Sequence, residues 1–212
     1  MVLARSSDPD VPRAIVAAAT RLFAAQGFDA TSLQAVADEV SLTKQAVLHH
    51  FPSKEHLRQA VLDAILAHWN DTLPRLLLAA AASEDRFEAV FGELSAFFAA
   101  DPDRARVVLR EALDRPAEMR KLLRGPVRPW LEAVAGYIRS GQAAGKHHAD
   151  VDPEAYVVHV MLFVISAVAT ASVMQGALDD DARARSDREL ARIARASLFS
   201  PARSRGGAQP KR

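Results

Sequence analysis

The stretch that most constrains the fold is residues 31–54, TSLQAVADEVSLTKQAVLHHFPSK. Its apolar residues recur at helical spacing in two short runs, and a hydroxyl residue stands where each run begins, as helix N-caps do. Only Ser41 and Leu42 form the turn between the runs, so the two helices must lie against each other. A small residue, Ala37, stands where the helices would cross, and Val47 closes the corner. The pattern predicts a helix-turn-helix motif.

In a helix-turn-helix motif the second helix enters the major groove of DNA by its N-terminal end. The sequence puts polar side chains there that can contact phosphates or base edges. A lysine can pair with phosphate or guanine, and a glutamine can bind adenine through two hydrogen bonds. The N-cap hydroxyls and the following histidines add further donors. The predicted DNA-binding residues are Thr31, Ser32, Thr43, Lys44, Gln45, His49, His50 and Lys54.

The motif and its flanks, RAIVAAATRLFAAQGFDATSLQAVADEV and LHHFPSKEHL, resemble the N-terminal domain of the TetR/AcrR family of transcriptional regulators. The resemblance implies a homodimer that binds a near-palindromic operator and a small-molecule effector, more often as a repressor than as an activator. The matching positions are Arg13, Ile15, Ala18, Ala19, Leu22, Phe23, Gly27, Phe28, Thr31, Ser32, Val36, Ala37, His50, Phe51, Lys54 and Leu57.

Three positions depart from the usual pattern of this family. Ser41 occupies a turn position usually held by glycine, where a left-handed backbone would cost a serine about 1–2 kcal/mol. Gln45 stands in place of a second glycine and can supply a base contact. Leu48 replaces a tyrosine that often contacts phosphate, and leucine has no hydroxyl to do so. The alternative function is therefore a helical protein-interaction module in which DNA binding is weakened or lost.

The chain of 212 residues is long enough for a small DNA-binding unit and one larger domain. Abundant Ala, Leu and Arg and few β-branched or aromatic runs predict an all-α fold. We predict a disordered arm at 1–10, a helix-turn-helix DNA-binding domain at 11–58, a helical effector-binding and dimerisation domain at 59–199, and a disordered basic tail at 200–212.

Charge and cysteine content narrow the classes of function. The formal net charge is only +1, so nonspecific DNA binding should be weak and a dimer should be needed for affinity. The chain has no cysteine, which excludes disulfides and thiolate metal sites. Residues 1–10 lack the apolar segment of a signal peptide, so we expect a cytoplasmic protein. No nucleophile motif, phosphate-binding loop or carboxylate pair stands out, so we predict neither enzymatic activity nor a cofactor.

Aromatic and sulfur-containing residues of the second domain suggest a pocket for an apolar or aromatic ligand, although each of them is also explained as core. Arg110 and Glu111 lie in a mostly apolar helix, where they can orient a polar ligand group or form a structural ion pair. The segment KHHAD is expected to be a polar loop, since adjacent histidines rarely converge on one metal ion. The predicted ligand-binding residues are Trp69, Phe91, Phe98, Arg110, Glu111, Trp130, Tyr137 and Met161.

The most apolar helix is expected at about 153–176 and is long enough to raise the alternative of a membrane span. Polar residues within it and acidic flanks favour a buried helix instead. A last helix, at about 181–199, carries Leu190, Ile193 and Leu198 on one stripe. Neither helix has enough partners in one small domain, so both are predicted to pair with their copies in a two-fold four-helix bundle.

Overall fold

The structure is a computed structural model that describes residues 10–82, 85–173 and 182–199, with backbone alone for 73–82 and 182–183. Its helices are α1 (Asp10–Gln26), α2 (Leu33–Glu39), α3 (Lys44–His50), α4 (Lys54–Ala82), α5 (Arg86–Ala99), α6 (Pro102–Asp114), α7 (Pro116–Arg124), α8 (Arg128–Ala143), α9 (Pro153–Ala169) and α10 (Ala182–Leu198).

The all-α fold predicted from the sequence is confirmed. Within the described ranges, β-structure is limited to one isolated antiparallel bridge between His147 and Phe199. The predicted arm at 1–10, apart from Asp10, and the predicted tail at 200–212 lie outside the described residues.

Several helices begin at the capping residues that the sequence indicates. The carboxylates of Asp101 and Asp152 accept hydrogen bonds from first-turn amides of α6 and α9 at 3.2 and 2.8 Å, and a proline follows each. Helix α5 is capped in the same way by Asp85. The carboxylate of Asp85 accepts a hydrogen bond from the amide of Glu88 at 3.2 Å.

Helix α4 links the N-terminal helices to the rest of the chain. It has 29 residues, which corresponds to roughly 44 Å at the α-helical rise. At its start, the hydroxyl of Ser53 accepts a hydrogen bond from the amide of His56 at 3.2 Å. Leu57 and Val61 are fully buried, and α4 packs against both α1 and α5. One continuous helix therefore contributes both to the packing around α1 and to that of the larger bundle.

The core around α1 fixes the position of the helix-turn-helix pair. Helix α1 packs against α2 and α4, and α2 packs against α3. The apolar residues of α1 meet the inner faces of the other helices, and most of them lose nearly all contact with solvent. The fully buried side chains here are Ile15, Ala18, Ala19, Val36, Ala37, Val47 and Leu57. Burial of this size holds α3 with its opposite face outward.

Helix α9 is the centre of the larger bundle and packs against α5, α6, α8 and α10. The sequence predicts that this helix continues to about residue 176, but α9 ends at Ala169. Residues 171–173 are helical again after a turn at Thr170, and 174–176 lie outside the described residues. The hydroxyl of Thr170 donates to the carbonyl of Ser166 at 2.7 Å, and such local bonds compete with the regular helical pattern. Among the described residues, no helix combines the length and apolar character needed to cross a membrane.

The KHHAD segment is only partly the polar loop predicted. His147 is 3% exposed, and its ring packs against Tyr137 and Phe199 with centroids 5.2 and 4.8 Å apart. Its Nδ1 lies 3.0 Å from the carbonyl oxygen of Ile138. Gly141 is required beside it, because a methyl group there would overlap the imidazole. Among the described residues, no cluster of three His, Cys, Asp or Glu side chains is arranged to hold a metal ion.

Candidate nucleic-acid interface and effector cavity

The turn between α2 and α3 is tight and internally hydrogen-bonded. The amide of Leu42 donates to the carbonyl of Ala37 at 2.8 Å, and the amide of Ser41 donates to that of Asp38 at 3.1 Å. Ser41 has a φ of 56°, which lies in the left-handed region. The position where the family pattern has glycine therefore does require a left-handed backbone, and serine adopts it at a cost.

Replacing Ser41 with glycine is expected to stabilise the protein by about 0.5–1 kcal/mol, because relief of backbone strain exceeds the added entropy of the unfolded chain. Urea unfolding followed by circular dichroism measures the difference. Ser41→Ala is the matched control, since it keeps Cβ and removes a hydroxyl that is exposed; its stability should remain near that of the parent. A destabilised Ser41→Gly variant would contradict the strain at this turn.

The N-terminal end of α3 presents most of the predicted DNA contacts to solvent. The hydroxyl of Thr43 caps α3 by accepting a hydrogen bond from the amide of Ala46 at 3.1 Å, and its proton remains available to a phosphate. The side chains of Lys44 and Gln45 form no hydrogen bond within the described part of the chain, so both are available to a ligand. The predicted contacts that are exposed are Ser32, Thr43, Lys44, Gln45 and His49, whereas His50 is half-buried.

Two predicted DNA contacts are held within the protein. Thr31 is 2% exposed, and its hydroxyl donates to the carbonyl of Gly27 at 2.8 Å. Its assignment as a DNA contact is therefore corrected to a residue that fixes the loop between α1 and α2. The Lys54 ammonium donates to the carbonyl of Asp29 at 3.1 Å and lies 4.3 Å from the Phe28 ring centroid. Lys54 keeps further donor protons for a phosphate.

A buried ion pair joins α4 to α6. The Arg58 guanidinium donates to the Glu111 carboxylate at 2.8 Å, and both side chains are 8% exposed. Burial raises the pKa of Glu111 above its ordinary value, against the opposing effect of Arg58. Glu111, predicted from the sequence as a possible ligand contact, is instead a partner in this pair. The sequence analysis missed Arg58, because its partner lies 53 residues further along the chain.

Arg110, next to Glu111 on α6, makes a second polar contact with the N-terminal helices. Its guanidinium donates to the carbonyls of Ala24 and Ala25, both at 3.1 Å. These carbonyls end α1, where an arginine satisfies unpaired acceptors and complements the helix dipole. Arg115 adds a contact 4.3 Å from the Phe28 ring centroid. Arg110 is therefore corrected from a candidate ligand contact to a link between α6 and α1.

An apolar cavity of about 80 Å³ lies among helices α4 to α9. Four of the predicted ligand-binding residues line it: Trp69, Phe98, Trp130 and Met161. The two indole rings meet edge to face with centroids 5.3 Å apart. Helices α6 and α7 contribute residues that the sequence analysis did not single out, because leucine, valine and methionine carry no signal that separates pocket from core. These are Val108, Met119, Leu122 and Leu123.

A second cavity of about 50 Å³ lies beside the first, among α5, α8, α9 and α10. Phe91 and Tyr137, also predicted as ligand contacts, line this second cavity. Leu94 and Trp130 border both cavities and separate them. Burial raises the pKa of the Tyr137 hydroxyl, so it stays neutral at physiological pH. The predicted ligand-binding aromatics are thus divided between two neighbouring apolar spaces.

An exposed helix-turn-helix pair, joined by one long helix to a helical bundle with apolar cavities, is the architecture of a DNA-binding regulator. Residues 15–61 match the family model described as bacterial regulatory proteins, tetR family, and residues 107–191 match the tetracyclin repressor-like C-terminal domain. The two matches together cover more than half of the chain. The chain belongs to the TetR family, whose members are DNA-binding transcription regulators.

Individual relatives agree with this assignment. The HTH-type transcriptional regulator RutR of Escherichia coli strain K12 is 28% identical over 166 residues, which cover 69% of this chain and 77% of that protein. The ketosteroid transcriptional regulator KstR2 of Mycobacterium tuberculosis superposes with a TM-score of 0.67 at 16% identity, over 94% of this chain and all of that one. A transcriptional regulator from Saccharomonospora viridis in complex with choline superposes with a TM-score of 0.65 at 17% identity, over 92% of this chain and all of that one. These two structural matches show the shared fold.

Proposed function

We propose that this protein is a homodimeric, ligand-responsive repressor that releases a near-palindromic operator when a small molecule binds. We assign residues 11–58 to DNA binding and residues 59–199 to effector binding and dimerisation. The course of α4 supports this most directly. The helix begins at Lys54, close to the end of α3, and its middle turns line the apolar cavity with Leu62 and Trp69.

Helix α6 supplies a second route from the cavity to the DNA-binding region. Val108 lines the cavity, and one turn later Arg110 and Glu111 bind the end of α1 and the start of α4. A ligand that enlarges the cavity acts on α4 and α6 together. If it favours a different spacing of the two α3 helices, it lowers operator affinity by its differential binding to the two states.

Dimerisation through α9 and α10 would put two copies of α3 on successive major-groove faces of one operator. Exposed apolar side chains on these helices support this: Leu162 is 40%, Phe163 50% and Ile193 43% exposed. Leu198 is only 2% exposed within one subunit, so it belongs to the subunit core. The proposed DNA binding also agrees with the cytoplasmic location expected from the sequence.

Replacing Phe163 and Ile193 together with glutamate is expected to convert the dimer to monomers, because burying two charges in each half of an apolar interface is costly. Sedimentation velocity measures the mass. Leu113→Glu is the matched control: Leu113 is 72% exposed but lies on α6, so this variant should remain dimeric. A double variant whose mass equals that of the parent would exclude this interface.

Selection of the purified protein against random duplex DNA tests the proposed function. We expect enrichment of a near-palindromic site whose affinity falls steeply with salt, as phosphate contacts require. The selected site then serves in a screen for small molecules that release it. Failure of the folded protein to enrich any site would overturn the DNA-binding role and favour the alternative of a protein-interaction module.

A further inference from the structure

The indole nitrogen of Trp130 is a buried donor without an acceptor. The residue is 3% exposed, and its Nε1 has no hydrogen-bond partner in the described structure. Tryptophan N–H groups usually find an acceptor when they are buried, since an unpaired donor away from water is unfavourable. Trp130 also lies on the wall of the apolar cavity. Nε1 itself is closed to solvent, so a molecule in the cavity provides the missing acceptor by displacing part of the lining.

The other lining residues restrict the chemistry of that molecule. They are leucines, isoleucines, valines, methionines, phenylalanines and the second tryptophan, Trp69. None of these side chains carries a charge, an amide or a hydroxyl. A charged ligand would lose its hydration here without gaining a partner. A neutral ligand with aromatic or alicyclic rings would gain from burial and from edge-to-face contacts with the indoles.

We propose that the effector is a neutral, mainly apolar molecule with one carbonyl-type oxygen, which accepts a hydrogen bond from Nε1 of Trp130. This inference rests on the effector role proposed above. The cavity of about 80 Å³ is smaller than the roughly 150 Å³ that accommodates benzene in an engineered apolar cavity. The ligand must therefore displace part of the lining.

The test compares a ketone with a hydrocarbon of the same shape, 1-indanone and indane, by titration calorimetry on the full chain without DNA. The ratio of ketone to hydrocarbon affinity should fall about three- to tenfold in Trp130→Phe, which keeps a ring and removes the donor. Trp69→Phe is the matched control, because it removes the other indole of the cavity. It should weaken both compounds to a similar degree and leave the ratio unchanged. Indane-1-carboxylate should bind neither variant nor parent.

A second measurement on the parent protein covers the case in which Trp130→Phe does not fold. The chain has two tryptophans, so a ¹H–¹⁵N NMR spectrum shows two indole N–H cross-peaks. The cross-peak that remains in Trp69→Phe belongs to Trp130. Indanone should move the Trp130 proton downfield, and indane should not. An unchanged affinity ratio, equal shifts with both compounds, tighter binding of the carboxylate, or no binding of either neutral compound would overturn the proposal.

The two proposals fail in different ways. Calorimetry and the indole signals report binding in the absence of DNA, so a negative result leaves operator recognition and dimerisation as they stand. A negative result in the DNA selection would exclude the repressor role. The ketone-to-hydrocarbon affinity ratio is measured without DNA, so the comparison of the parent with Trp130→Phe would be unaffected.

Discussion

Replacing Lys44 and Gln45 together with alanine is expected to lower affinity for the selected operator by at least about 10³-fold, which corresponds to about 1 kcal/mol for each of four lost contacts. Each well-placed contact of this kind to a base is worth about 1–3 kcal/mol, and a two-fold dimer makes each contact twice. The support for a large effect is that both side chains are exposed at the start of α3 and unengaged within the described structure. Fluorescence anisotropy at several salt concentrations measures the loss.

The single variants separate two kinds of contact. If Gln45 contacts a base, Gln45→Ala should weaken binding to the operator far more than binding to a random duplex. If Lys44 binds a phosphate, Lys44→Ala should weaken both duplexes alike and reduce the salt slope by about one unit per contact. Gln59→Ala is the matched control, because Gln59 is an exposed glutamine on α4 whose amide donates to Asp63 at 2.8 Å. Normal operator affinity in the double variant would refute the assignment of both residues.

Replacing Arg58 with methionine is expected to destabilise the protein by about 3–5 kcal/mol, because it removes the guanidinium that is hydrogen-bonded to the buried Glu111 carboxylate. Replacing both members, as Arg58→Met with Glu111→Leu, should recover most of this loss, since burying the pair is itself costly. The raised pKa of Glu111 agrees with that cost. Urea unfolding at pH 7 measures all three free energies.

An exposed pair provides the control for the buried one. Arg21 and Glu39 are joined at 3.1 Å with side chains 53% and 41% exposed, so Arg21→Met should cost less than about 1 kcal/mol. A similar small loss in Arg58→Met would mean that water reaches the pair when the partner is removed. A double variant as unstable as the single one would show that packing at the junction, and not the unpaired charge, determines the loss.

Local patterns were enough to predict the elements of the DNA-binding region. The spacing of apolar residues set the helices, and the hydroxyl caps at Ser32 and Thr43 set where α2 and α3 begin. Each of these signals acts within one or two helical turns, so the residues that matter are adjacent in the sequence. The left-handed backbone at Ser41 could be anticipated from the sequence for the same reason.

The sequence could not reveal which polar residues would be used inside the protein. Thr31 and Ser32 are adjacent hydroxyl residues, yet the first is buried against the end of α1 and the second caps α2 in solvent. The packing of helix α1 causes this difference, because α1 covers Thr31 and leaves Ser32 exposed. Residue type alone gave both the same prediction.

The sequence by itself determined the helical class, the helix-turn-helix motif and the apolar character of the larger bundle, because these depend on composition and short-range spacing. Tertiary structure alone decided that Arg58 meets Glu111 across 53 residues, that Arg110 reaches the end of α1 across 86, and that the Trp130 nitrogen is buried without an acceptor. Such contacts depend on how distant helices pack, and packing brings together side chains that no local pattern connects.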